Sequence, residues 1–383
     1  MDCAEQSNKR LPERFLLIAG GTVVILLALG GCLMQWMYGD IPNRLVMDPH
    51  IYALNGSNSR YDDFNAVAAP PSLTMDALIV FSSNARTHGE RFSMETGRFE
   101  LVQNPYSQSK DKRPPPARIE AQRTGPFPLI PPASGNLRGP TPLVSSTIAE
   151  RDYAAPQFSY HMTLELTQDK APLPWNGKGV LPNGGVWMFD SDQTGHRNLY
   201  FVDDAGLVRP FFGNDPQSDD AYATYDFERH ELYFSSNRSG RFQLYRYRNH
   251  SRNTRFSEWL DNPALASVIE PAEEFFADAD SMAPFVEGNL LVFASNRTGT
   301  HGGFDLYASI YSDSRWSAPR NMQDLMPKGV ALNTPANEFR PSLLTIRLKN
   351  YHELSVLLFS SDRPGGQGGY DLYVTALPQS KEW

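Results

Sequence analysis

A paired phrase that returns five times constrains this chain more than any other feature. It reads Phe-Ser-Ser-Asn-Arg or a near copy, then a turn, then Gly-x-x-x-Leu-Tyr. The fullest copies are Phe234-Ser235-Ser236-Asn237-Arg238 with Gly240 to Leu244-Tyr245, and Phe293-Ala294-Ser295-Asn296-Arg297 with Gly302 to Leu306-Tyr307. Phe359-Ser360-Ser361-Asp362-Arg363 follows, with Gly368 to Leu372-Tyr373. Weaker copies start at Phe81-Ser82-Ser83-Asn84 and at Phe189-Asp190-Ser191-Asp192. Self-similarity at intervals of tens of residues marks a repeat architecture.

The residues before each Ser-Ser step are apolar and β-prone, as in Leu290-Leu291-Val292-Phe293 and Val356-Leu357-Leu358-Phe359, and read as buried strands. Asn and Gly in the next step suit a tight turn, and Leu-Tyr closes the returning strand of a hairpin. A lone hairpin cannot bury its apolar face, so the units must stack.

The stretches FASNRTGTHGGFDLYASIYSDSRWSAPRNM (293–322) and FSSDRPGGQGGYDLYVTAL (359–377) resemble the WD40-like (PD40) repeats of TolB-type β-propellers. The resemblance covers roughly residues 60 to 377. It implies an all-β chain with a five-bladed β-propeller over 61–378, with six blades as the alternative count. A propeller hosts many functions, so the resemblance fixes architecture far better than activity.

Residues 15–38 carry no charge and are long enough to cross a bilayer as a helix. Lys9, Arg10 and Arg14 precede them and no base follows until Arg44, which puts residues 1–14 in the cytoplasm and the propeller outside. Two anchors remain open. Trp36 and Tyr38 suit the interface of an uncleaved signal anchor, while Leu29-Gly30-Gly31-Cys32 resembles a lipobox with Cys32 as the acylated residue. Either way the chain is tethered to a membrane. The only other cysteine is Cys3, so an extracytoplasmic domain has no disulfide and no Cys-based zinc site.

The formal net charge of −8 lacks the basic stripe of a nucleic-acid binder. Residues 39–60 read as a linker and a strand; Arg44 to Leu54 is expected to close the ring by joining the last blade, because little chain remains after Tyr373. The proline-rich stretch 104–142 is expected to be a solvated insertion, tolerant of deletion over 107–138, with a partner-docking arm as the second reading and a degenerate extra blade as the third. Outer strands are expected at Arg315 to Met322, near Leu207-Val208 and near Phe256 to Leu260.

An acid followed by a small or aromatic residue, and usually a proline, precedes each hairpin: Asp63, Asp152, Asp220, Asp280 and Glu338. On inner strands these five would ring one mouth of the channel. Three readings are open: backbone hydrogen bonding repeated because the blade repeats, a cation or sugar site, and acid/base catalysis. Repetition favours the first, since a catalytic pair would stand apart from its sister repeats. Arg238, Arg297 and Arg363 are expected to bond local backbone or a neighbouring repeat, with partner recognition as the alternative. There is no Gly-x-Ser-x-Gly elbow, no phosphate loop and no His-Glu-x-x-His, and the histidines lack ligand spacing.

The sequence therefore points to a binding protein more than to an enzyme. The expectation is a membrane-anchored scaffold facing the bacterial periplasm or cell exterior, engaging an envelope protein partner and no nucleic acid. No cofactor is expected, apart from a cation that the channel acids could hold. The alternatives are a glycan or small-ligand site at the channel mouth and a five-bladed carbohydrate-active enzyme. A wide, acid-lined channel would favour these two, and a narrow, filled one the scaffold.

Overall fold

The computed structural model describes residues 50–68, 76–102, 118–128, 135–143, 181, 185–248, 254–265, 269–347 and 353–378. Their strands form five antiparallel sheets arranged as the blades of a propeller. Blade 5 is closed by the N-terminal β1 (Tyr52–Ala53). Blade 1 contains β2 (Asp63–Ala68), β3 (Asp76–Ser83), β4 (Ser93–Val102) and β5 (Arg118–Pro126). Blade 2 contains β6 (Leu137–Leu143), β7 (Val186–Ser191), β8 (Asn198–Val202) and β9 (Val208–Pro210). Blade 3 contains β10 (Asp220–Asp226), β11 (Glu231–Ser236), β12 (Gln243–Arg248) and β13 (Glu270–Pro271). Blade 4 contains β14 (Ser281–Glu287), β15 (Leu290–Ser295) and β16 (Asp305–Ser312), with β17 (Arg315–Trp316) and β18 (Arg320–Asn321) both on β16. Blade 5 adds β19 (Glu338–Arg347), β20 (Glu353–Ser361) and β21 (Asp371–Ala376).

The ring closes where β1 lies antiparallel to β21, pairing Tyr52 with Val374 and Ala53 with Tyr373. Leu54 N–H then donates to Leu372 O at 2.9 Å, and the Asn58 side chain clamps Leu372 from both sides. The last blade thus takes its outer strand from the start of the propeller, which removes an edge that would otherwise template aggregation.

Apolar side chains fill the spaces between blades. Phe81 and Ile79 meet Leu358 and Val374 between blades 1 and 5, and Trp187 and Phe189 meet Val80 and Val67 between blades 2 and 1. Phe234 and Leu232 meet Phe201 and Met188 between blades 3 and 2, while Phe293 and Leu291 meet Tyr233 between blades 4 and 3. Each such side chain contributes about 1.5–3 kcal/mol on burial. The apolar run before each Ser-Ser step is therefore what glues one blade to the next.

Three sequence expectations are corrected here. The proline-rich stretch 104–142 supplies the outer strand of blade 1 (β5) and most of the innermost strand of blade 2 (β6). Proline is tolerated there because an inner strand pairs on one side only, and Pro140 falls inside a β-bulge between Arg138 and Thr141. The inner strand of blade 2 is thus not led by Asp152, which lies outside the described residues. Phe256 to Leu260 is not an outer strand; α1 (Phe256–Asp261) buries Phe256, Trp259 and Leu260 at helical spacing, and β13 takes the outer position. Among the described residues no helix is long and apolar enough to cross a membrane. The apolar stretch 15–38 and Cys32 lie outside them.

Candidate functional site: the channel and its mouth

Every residue of the repeated phrase has a position-specific role. Its phenylalanine packs between blades and, with the tyrosine of the returning strand, holds the turn arginine. Arg238 lies over Phe234 and Tyr245, Arg297 over Phe293 and Tyr307, and Arg363 over Phe359 and Tyr373. The first serine serves the next blade: Ser82, Ser235 and Ser360 accept backbone N–H bonds from Gly139, Ala283 and Asn65 at 3.2, 2.9 and 3.0 Å. The second serine, Ser236, Ser295 or Ser361, accepts from the arginine Nε of its own repeat.

The arginines finish at the head of the inner strand. Arg238 reaches Asp220 at 2.7 Å and Arg363 reaches Glu338 at 3.1 Å, and both acids are fully buried. In blade 1 the same service comes from the outer strand, where Arg123 pairs with the buried Asp63. Backbone N–H groups of the preceding loops complete the cages: Ser59 to Asp63, Asp215 to Asp220 and Thr334 to Glu338, at 2.6, 2.6 and 2.8 Å. Burial still pushes the Glu338 carboxyl above its ordinary pKa, against Thr334 and Arg363. In blade 4 the head residue is not an acid: Arg297 donates to the Ser281 hydroxyl at 3.0 Å and to the Phe275 carbonyl at 2.8 Å, and burial lowers its pKa.

Blade 2 moves the acid. Its inner strand begins with Leu137, and the buried carboxylate is Asp190 on β7, bonded by Arg197 at 2.8 Å. Burial raises the Asp190 pKa, opposed by Arg197 and Arg138. Burial also disfavours the charge on Arg197, but Asp190 overrides it and raises the arginine pKa.

The predicted acids therefore occupy two levels. Asp63, Asp220 and Glu338 stand in register at the heads of inner strands, opposite Ser83, Ser236 and Ser361. Asp280 falls one residue earlier, because Ser281 takes the head position opposite Ser295. The residue before the head forms a second ring that the sequence reading missed: Asp62, Asn136, Asp219, Asp280 and Asn337.

This ring clasps each blade to its predecessor. The Oδ1 atoms of Asp62, Asn136, Asp219, Asp280 and Asn337 accept from the backbone N–H of Tyr370, Phe92, Arg197, Phe242 and Phe304, at 2.8–3.0 Å. The carbonyls of those same residues accept from the N–H of the following head residue. Within its own blade each clasp residue faces the fourth residue of the repeated phrase: Asn84, Asp192, Asn237, Asn296 or Asp362. Every such pair contains one aspartate and one asparagine, so five carboxylates (Asp62, Asp192, Asp219, Asp280, Asp362) surround the mouth and no two share a clasp.

The channel itself is occupied by protein. The third inner-strand residue in each blade has a left-handed backbone: Asn65, Gly139, Tyr222, Ala283 and Arg340, with φ between 49° and 61°. In every blade this residue lies inside a β-bulge of the inner strand. From blade 5, Arg340 crosses to Thr141 Oγ1 at 2.6 Å, with longer contacts to the carbonyls of Gly139, Pro140, Ala223 and Pro284 at 3.4–3.5 Å. These acceptors belong to three other blades, so the guanidinium sits on the axis. It is 1% exposed, and burial lowers its pKa to about 10. The Tyr222 ring takes Arg340 at 5.6 Å and Arg197 at 4.4 Å. Gly139 leaves room for this ring: a Cβ there would lie 3.1 Å from Tyr222 Cδ1.

At the hairpin face the channel opens into an aromatic mouth. Phe64 meets Phe92 edge-on at 4.7 Å and Tyr370 at 6.0 Å, and Phe339 meets Phe304 and Tyr222 edge-on, each at 5.4 Å. Phe64, Phe92, Phe304 and Tyr370 are half-buried, and Arg138 lies over Phe92 at 5.0 Å. Among the described residues no three His, Cys, Asp or Glu side chains cluster as metal ligands.

No protein-family model matches the chain, and no curated protein matches its sequence. Among solved structures, TolB from Acinetobacter baumannii is similar over 83% of this chain and 63% of its own, at 12% identity and a TM-score of 0.30. A TolB candidate from Agrobacterium tumefaciens is similar over 86% and 97%, at 9% identity and a TM-score of 0.38. A thermostable family-43 glycoside hydrolase is similar over 85% and 92%, at 9% identity and a TM-score of 0.46. This chain thus spans less than two thirds of the first of these proteins. Such overlaps carry no functional argument, and the five-bladed architecture rests on the strand order.

Proposed function

We propose that this chain is a membrane-tethered, extracytoplasmic scaffold of the bacterial envelope that receives a protein partner on its hairpin face. The observation that carries the reading is the axial Arg340, whose guanidinium takes the space a sugar or other organic ligand would need in the channel. The buried acids support it. Asp63, Asp220 and Glu338 each hold an arginine and a backbone N–H, which suits ring closure better than proton transfer. The half-buried aromatic mouth, bounded by five carboxylates, is the surface left for recognition. The uncharged stretch 15–38 supplies the tether, as a signal anchor or through Cys32.

Affinity capture from envelope extracts tests the scaffold reading, using the full chain in detergent beside a Phe64→Ser, Tyr370→Ser double variant. One partner retained by the wild type and lost by the variant, at equal melting temperature, is the expected result. Equal capture by both proteins contradicts it. Mass spectrometry of the membrane-extracted chain decides the tether: peptides containing Met1, or trimmed only of it, mean an anchor, and an acylated N-terminal Cys32 means a lipoprotein.

The aromatic mouth also favours a second reading, a glycan or small-ligand site, since Phe92, Phe304 and Tyr370 offer half-buried ring faces. Saturable glycan binding lost in the same double variant would select it.

A further inference from the structure

Polar groups near the axis stand without partners. Asn65 is fully buried, and both its amide oxygen and its amide nitrogen lack a hydrogen bond. Ser342, two residues beyond Arg340 on β19, is 2% exposed with an unbonded hydroxyl. Asp190 Oδ1 is unbonded as well. Buried groups left this way cost about 1–3 kcal/mol each, and a bound water or ion is one of the ways folded proteins satisfy them.

Position relates these groups. Asn65 and Arg340 are the left-handed bulge residues of adjacent blades, and Asn65 N–H is bonded to Ser360 of the blade that carries Arg340. Charge then chooses between occupants. Arg197 is matched by Asp190 and Arg138 by Asp192, but no carboxylate lies within ion-pair distance of Arg340 among the described residues. Four of its five polar contacts are to neutral carbonyls at 3.4–3.5 Å. A buried guanidinium without a counter-charge is costly.

We propose that the channel beside Arg340 binds one small monovalent anion of the halide class, held by the guanidinium, the Asn65 amide N–H and the Ser342 hydroxyl. The two remaining acceptors, Asn65 Oδ1 and Asp190 Oδ1, are served by water. The site fixes the charge of the plug and locks the inner strands of blades 1 and 5 together.

The test uses the full chain in detergent at constant ionic strength, with chloride or bromide replacing gluconate, read as the thermal midpoint. A ligand that binds only the folded state raises the midpoint as its concentration passes its dissociation constant. The expected result is a rise that grows with halide and not with gluconate. In Asn65→Gly the midpoint constant for halide rises at least ten-fold. That variant keeps the left-handed backbone, as Gly139 does in blade 2, so it reads the site without depending on an Arg340 variant that fails to fold. Crystals soaked in bromide show an anomalous peak between Arg340 and Asn65. Identical midpoints in chloride and gluconate, or ordinary water density at that position without bromide signal, overturn the proposal.

Discussion

The clasp around the mouth makes a quantitative prediction about charge. In blade 1 Asn84 donates from Nδ2 to Asp62 Oδ2 at 3.1 Å, and its Oδ1 accepts from Asp62 N–H at 2.9 Å. Asn84→Asp would place two carboxylates at that separation while keeping the shape. At an effective dielectric constant near 20, unit charges about 4 Å apart repel by about 4 kcal/mol, and a shorter distance increases this. Protonating one carboxyl offers relief, and from an ordinary carboxyl pKa of about 3.9 that costs about 4 kcal/mol at pH 7. The expected loss of stability is therefore about 3–4 kcal/mol at neutral pH. The sign follows from linkage: the variant's shared carboxyl has a folded pKa above its unfolded value. Folding then takes up a proton, so the destabilisation grows as pH rises through the interval between the two values and vanishes below it. The double exchange Asp62→Asn, Asn84→Asp should recover most of the loss. Blades 2 and 5 already use that arrangement, with Asn136 donating to Asp192 at 2.6 Å and Asn337 to Asp362 at 2.8 Å. Urea midpoints of the purified full chain at pH 5 and pH 7.5 give the cycle. A single variant as stable as wild type at pH 7.5, or a double variant no better than the single, refutes the reasoning.

Truncation through residue 55 removes β1 and exposes the edge of β21, and light scattering should show aggregation at temperatures where the intact chain stays monodisperse. Deleting 107–138 should abolish cooperative melting, since it takes β5 and the head of β6. Gly139→Ala should cost about 2–4 kcal/mol, combining a left-handed alanine with crowding at Asp190 Oδ1 and Tyr222, and thermal melting reads it.

What was legible in the sequence was what repeats with the same chemistry. The hairpins of blades 3, 4 and 5 could be read from Phe-Ser-Ser-Asn-Arg because each letter serves one contact. The blade 2 inner strand was not legible. Its head is Leu137 instead of an acid, its carboxylate sits on the neighbouring strand as Asp190, and its Gly139-Pro140 step looked like loop chemistry. The signal was present nonetheless, since Arg138-Gly139-Pro140 aligns with Phe339-Arg340-Pro341. Outer strands such as Glu270–Pro271 are too short to leave a periodic trace. Of the five acids expected in one ring, three lie at the strand heads and Asp280 lies one residue earlier, because a single-residue register change is invisible without a partner strand. Arg340 was missed because nothing in the sequence says that one repeat's bulge residue will cross the axis.

The most direct test of the central claim, that the buried acids hold the ring together and recognition lies outside the channel, is a paired measurement on Asp63→Asn, Asp220→Asn and Glu338→Gln. Each variant leaves a half-buried arginine, Arg123, Arg238 or Arg363, facing a buried amide in place of its carboxylate. Breaking a buried pair by removing one partner costs about 3–5 kcal/mol. Melting temperature and partner or glycan binding are recorded on the same preparations, with binding measured well below each midpoint. The account predicts a clear fall in melting temperature for all three and unchanged binding. Unchanged melting with binding or activity abolished would contradict it and move these carboxylates from architecture to chemistry.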